Sequence, residues 1–72
     1  MKGTTMETLG DVFQQEQTRV QEILMHYKDL GPAGLFAVTW ITDLLRRADK
    51  AYQTQDTVAM LRLYRLLLEV TE

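Results

Sequence analysis

The chain has 72 residues, a formal net charge of −2 at neutral pH and no cysteine. That length admits one domain, which would bury only about 60% of the surface its unfolded chain exposes. Without cysteine, neither a disulfide framework nor a thiolate metal site can make up the shortfall, so packing or oligomerisation must; the negative balance argues against whole-surface attraction to nucleic acid or anionic membrane.

A single helical domain is predicted over residues 1–72, with residues 1–5, which offer little to bury, as a frayed N-terminal tail. No basic segment precedes a long apolar run, and the most apolar stretch, Leu35 to Leu45, is far shorter than the roughly 20 residues a bilayer span needs. The expectation is a soluble, cytoplasmic protein with no membrane partner. Thr4 with Glu7, and Thr8 with Asp11, have the spacing of a capping box, so the first helix should begin at one of them. From there Leu9, Phe13, Val20, Ile23, Tyr27 and Leu30 recur on a 4–3 spacing, the signature of a long helix seam, with Glu16 filling the step between Phe13 and Val20. The polar middle, Gln14 to Arg19, reads either as a solvated stretch or as a place where Glu16 or Gln17 sets register.

Gly31 and Pro32 read as a stop followed by a start, because glycine can take the left-handed conformation that ends a helix and proline suits the first turn of the next. The second helix is predicted from about Pro32 to about Thr54. Its first half, Leu35 to Leu45, is apolar on nearly every side, which predicts cover on more than one face. The predicted core holds Phe36, Trp40, Ile41, Leu44, Leu45, Tyr64 and Leu67. Gln53 to Asp56 has the polarity of a turn, with Asp56 as N-cap of a third helix from about Thr57 to Val70. Leu61 and Leu68 fall on a different side of that helix from Met60, Tyr64 and Leu67, more apolar surface than one neighbour can cover. The fold class is therefore all-α: a three-helix bundle with a long first helix and a C-terminal helical hairpin.

The run GPAGLFAVTWITDLLRRADKAYQTQDTVAMLRLYRLLLE, about the last two thirds of the chain, resembles short uncharacterised proteins of proteobacteria and their phages or prophages, in which a GPAG-F segment precedes a RAD-A motif and an M-Y-L helix. The resemblance implies an all-helical fold and a mobile-element setting, without chemistry. The last two helices also resemble a single tetratricopeptide hairpin, with Ala51, Asp56, Ala59 and Tyr64 where such repeats place small and aromatic residues. One hairpin without a second copy is not an array.

Little in the sequence points to catalysis. There is no serine and no cysteine, so the commonest nucleophiles of acyl transfer are absent, and GPAG before an apolar helix is better explained as turn and cap than as a phosphate cradle. His26 shares a helix face with Glu22, yet two ligands do not make a metal site. The expectation is a non-enzymatic protein that needs no cofactor or metal. Charge is the one specific surface feature: Arg46, Arg47, Lys50, Arg62 and Arg65 all fall in the final hairpin. They form either a solvated face or a basic patch for an acidic protein surface or nucleic-acid phosphate. The favoured function is a small protein–protein interaction module, of the kind a phage uses to modulate a host protein; the alternative is a nucleic-acid accessory factor. Surplus apolar surface on the first and third helices further predicts a two-fold homodimer through Phe13, Val20, Leu61 and Leu68.

Overall fold

Thr8 opens the first helix. Its hydroxyl accepts the Asp11 backbone N–H at 3.2 Å, and the Asp11 carboxylate accepts the Thr8 backbone N–H at 3.3 Å, completing the second of the two candidate capping boxes. A cap of this kind contributes about 1 kcal/mol. The computed structural model describes residues 8–72; Thr4, Glu7 and the tail predicted for residues 1–5 lie outside them. Among the described residues there are three helices and no strand: α1 (Leu9–Asp29), α2 (Leu35–Gln53) and α3 (Thr57–Glu69), with a 3-10 turn, Gly31–Gly34, between the first two. The three helices contact one another pairwise, the all-α bundle that the apolar periodicities predict.

Phe13, Val20 and Ile23 of α1 are buried, and Leu9, Leu24 and Tyr27 pack at the margin of the same core. Leu30, placed in the seam by its spacing, is exposed instead, because α1 ends at Asp29 and Leu30 has become its C-terminal cap. The GPAG segment accounts for both of its glycines. Gly31 sits at φ +63°, the left-handed stop, and Pro32 occupies the first turn of the 3-10 segment. Gly34 is buried for a different reason: a Cβ there would lie 2.2 Å from the Tyr27 carbonyl oxygen. Only glycine lets the chain return so close to the end of α1.

α2 buries Ile41, Leu44, Ala48 and Ala51, a 3–4–3 stripe whose alanines allow neighbouring backbones to approach. Here the predicted core needs correction. Ile41, Leu44 and Leu67 are buried and Leu45 and Tyr64 pack against them, but Phe36 is 86% exposed and Trp40 46% exposed. Both lie off the Ile41–Ala51 stripe, so α2 is covered on one side rather than on several. Tyr52, by contrast, turns inward and stacks on Phe13 with parallel rings 6.4 Å apart.

The α2–α3 turn is a Schellman motif. The Asp56 N–H donates to the Ala51 carbonyl at 3.0 Å and the Gln55 N–H to the Tyr52 carbonyl at 3.1 Å, with Gln55 in the left-handed region at φ 54°. Asp56 then caps α3, its carboxylate accepting the Ala59 N–H. α3 buries Met60, Leu63 and Leu67, followed by Val70, and leaves Leu61 and Leu68 about half exposed, as their different helical side requires.

The polar middle of α1 is neither idle nor simply solvated. Arg19 donates from its guanidinium to the carbonyls of Leu67 at 2.7 Å and Val70 at 2.9 Å, and to the Glu16 carboxylate at 2.9 Å. Those carbonyls lie at the last turn and C-cap of α3, where the i+4 donors of a continuing helix are missing and the Leu67 carbonyl otherwise has only the Val70 N–H at 3.1 Å. A cation from α1 thus caps α3, and Glu16 orients it. The Tyr27 hydroxyl, donating to the Thr71 carbonyl at 2.8 Å, fastens the segment beyond α3 to α1 a further two turns along.

Candidate interaction surfaces

The antiparallel α2–α3 hairpin brings the basic residues toward one another only in part. Arg47, Lys50 and Arg62 rim a groove of about 430 Å³ between the two helices, floored by Ala51, Ala59, Leu63 and Leu66 and closed at the turn by Thr54 and Asp56. The groove follows from the sequence: the two alanines are too short to fill the valley that larger residues would close. Arg46 and Arg65 do not line it. Arg46 leans the other way along α2 and pairs with Asp43, which also holds Arg47 at 3.0 Å. Lys50, Arg62 and Arg65 form no ion pair with the described residues, so two of the three rim cations carry their full charge into solvent.

A second surface lies on the outer side of α2. Phe36, Thr39, Trp40, Thr42, Asp43 and Arg46 line an open hollow of about 590 Å³. Phe36 and Trp40, one helical turn apart, also border a smaller hollow of about 190 Å³ formed with Tyr27, Glu69, Val70 and Thr71. Leu35, 64% exposed, extends the apolar surface toward the N-terminal end of α2. An exposed Phe–Trp pair is the kind of feature that marks interaction surfaces, since single exposed aliphatics are ordinary and neighbouring exposed aromatics are not. The sequence reading missed it by assigning both residues to the core.

Of the residues predicted to form a dimer interface, Leu61 and Leu68 are exposed, at 51% and 48%. Phe13 and Val20 are wholly buried within the chain and have no surface to offer a partner. Their stripe faces α2 and α3 because the bundle, not a symmetry mate, uses it. His26 lies 3.5 Å from Glu72, both largely exposed, and no cluster of three or more His, Asp or Glu among the described residues could hold a metal ion. No helix among them is long and apolar enough to cross a membrane. Comparison with family models, with curated proteins and with solved structures finds no match for this chain.

Proposed function

We propose that this protein is a non-enzymatic interaction module that docks an acidic, amphipathic segment of another protein in the α2–α3 groove. The observation that carries the reading is the pairing of an apolar floor, Ala51, Ala59, Leu63 and Leu66, with a cationic rim, Arg47, Lys50 and Arg62. Helix-in-groove recognition uses such a layout: apolar anchors enter the valley and carboxylates on the flanks meet the rim. Nucleic acid is the second reading, and the same groove weighs against it. Phosphate contact calls for a run of cations over a wettable surface, whereas this floor is hydrocarbon, Arg47 is already shared with Asp43, and the chain is net negative. The mobile-element setting, as a modulator of a host protein, belongs to the same proposal and rests on the sequence resemblance alone.

Affinity capture with the parent chain and with a Lys50→Glu/Arg62→Glu variant tests this. A partner protein retained by the parent, lost by the variant and competed away by its own acidic segment supports the groove. Recovery of nucleic acid alone, with binding that weakens steeply between low and moderate salt, overturns it.

A further inference from the structure

We infer that residues 70–72 are a strap that closes the small apolar hollow beside Trp40 and opens as a unit while the three helices stay packed. Val70 leaves the helical path: α3 has ended at Glu69, and the Val70 backbone is extended at φ −74° and ψ 122°. Its side chain is nonetheless only 3% exposed and joins the core cluster that holds Ile41 and Leu67. Glu69, Val70 and Thr71 form one wall of the hollow of about 190 Å³, and Tyr27, Ala37 and Ile41 stand among the residues of the other, with Trp40 at its border. A wall built from chain beyond a helix can move without any helix moving.

The strap is fastened by side chains of α1. The Val70 N–H still reaches back to the Leu67 carbonyl at 3.1 Å, but neither Thr71 nor Glu72 makes a backbone–backbone hydrogen bond with the described residues. Instead Arg19 donates to the Val70 carbonyl at 2.9 Å, the Tyr27 hydroxyl donates to the Thr71 carbonyl at 2.8 Å, and His26 lies 3.5 Å from the Glu72 carboxylate. Each attachment can break without disturbing a helical ladder, and breaking them strands no polar group. The Tyr27 bond is exposed and the Arg19 bond partly so; water takes the freed carbonyls, while Arg19 keeps Leu67 and Glu16. Hydrogen bonds that water replaces return little, and the exposed His26–Glu72 contact adds little more.

What holds the strap shut is therefore chiefly the burial of one valine, set against the entropy of ordering three residues. Such a segment opens locally, well below the free energy that unfolds the whole domain. It opens as one piece because Val70 is its only apolar seat: with Val70 out, the Thr71 carbonyl is no longer delivered to Tyr27. Opening joins the hollow to the space that Val70 vacates, so the strap sets the depth of the recess beside Trp40. This recess shares no lining residue with the α2–α3 groove, and its behaviour is independent of what docks there.

Trp40, the sole tryptophan, borders the hollow and reports on the strap. Val70→Asp puts a charge into an apolar seat and holds the strap open. The variant should keep its helical circular dichroism and a cooperative melt, while Trp40 emission moves to longer wavelength and acrylamide quenches it more strongly. Tyr27→Phe deletes only the hydroxyl. In the parent it should lower the folded-to-unfolded ratio about threefold; in the Val70→Asp background it should change nothing, because an open strap offers the hydroxyl no carbonyl. An equal loss in both backgrounds means that the attachments act separately and overturns the inference. So does a folded Val70→Asp variant whose Trp40 emission and quenching match the parent. If Val70→Asp fails to fold, amide exchange of the parent chain decides. The strap hinges at Glu69, so its opening frees the Val70 N–H, and exchange there should be insensitive to low urea while exchange of the Leu44 amide in the core accelerates. The same urea dependence at both amides overturns the inference.

Discussion

Replacing Arg19 with alanine removes a hook that joins two helices 48 residues apart in sequence. Its guanidinium makes two charge-assisted hydrogen bonds, to the carbonyls of Leu67 and Val70. Bonds of this type contribute about 1.5–3 kcal/mol when well shielded. The Arg19 side chain is 37% exposed, so water competes for both, and about 1 kcal/mol apiece is the fair figure. Truncation should therefore cost about 2 kcal/mol, and in a domain of this size that lowers the melting temperature by about 10 °C. Arg19→Lys keeps the charge but not the planar fork, and should lose about half as much. Thermal melts followed by circular dichroism measure both, and amide exchange should show the end of α3 losing protection before its start. An Arg19→Ala variant melting within about 2 °C of the parent would refute the capping argument.

Other positions give equally specific expectations. Gly34→Ala should destabilise by about 3 kcal/mol or more, because the obstruction is the backbone carbonyl of Tyr27 and no side chain can swing aside; a melt near that of the parent contradicts the close approach. Gln55→Gly should stabilise by about 1 kcal/mol by relieving a left-handed residue at the helix C-terminus, visible as a higher urea midpoint with unchanged slope. Trp40→Ala should cost about half of the 3–5 kcal/mol typical of a fully buried aromatic, since nearly half of the residue is in water; a loss of the full amount would restore Trp40 to the core.

The parts of the fold that announce themselves locally are legible in the sequence. Thr8 with Asp11, Gly31 with Pro32 and Asp56 each mark a helix boundary by chemistry that acts within a few residues, and each stands where that chemistry puts it. The phase of α2 is harder, because its first half is broken only by Thr39, Thr42 and Asp43, too few polar residues to show how wide the buried face is. From Leu35 to Leu45 almost every face is greasy, so a bulky aromatic such as Phe36 or Trp40 looks like core by size alone. The information lies further along the helix, where apolar residues thin to Ala48 and Ala51. Stepping back from those two by alternate fours and threes gives Leu44, Ile41 and Ala37 and passes by Phe36 and Trp40. Arg19 was illegible for another reason: its partners are backbone carbonyls, which have no sequence identity. The groove was half legible, since clustering of Arg47, Lys50 and Arg62 in one hairpin is visible in the chain, but which cations share a side depends on how α2 and α3 face each other.

Asp43 joins the two surfaces of α2, since its carboxylate holds Arg46 on the Phe36–Trp40 side and Arg47 on the groove side. Both arginines are largely exposed, so these ion pairs add little to stability, and Asp43→Asn should shift the melting temperature by no more than a few degrees. Its effect on binding in the groove should be larger. The substitution raises the net charge beside the groove by one unit, and a carboxylate on a docked segment some 8–10 Å away gains about 0.5–1 kcal/mol at surface dielectric once about 0.1 M salt screens it, or two- to fivefold in affinity. A captured partner protein held more tightly by Asp43→Asn at low salt, with the advantage gone at high salt, fits an acidic occupant of the groove. Weaker capture at low salt would mean that the occupant does not carry the negative charge that the rim of Arg47, Lys50 and Arg62 selects.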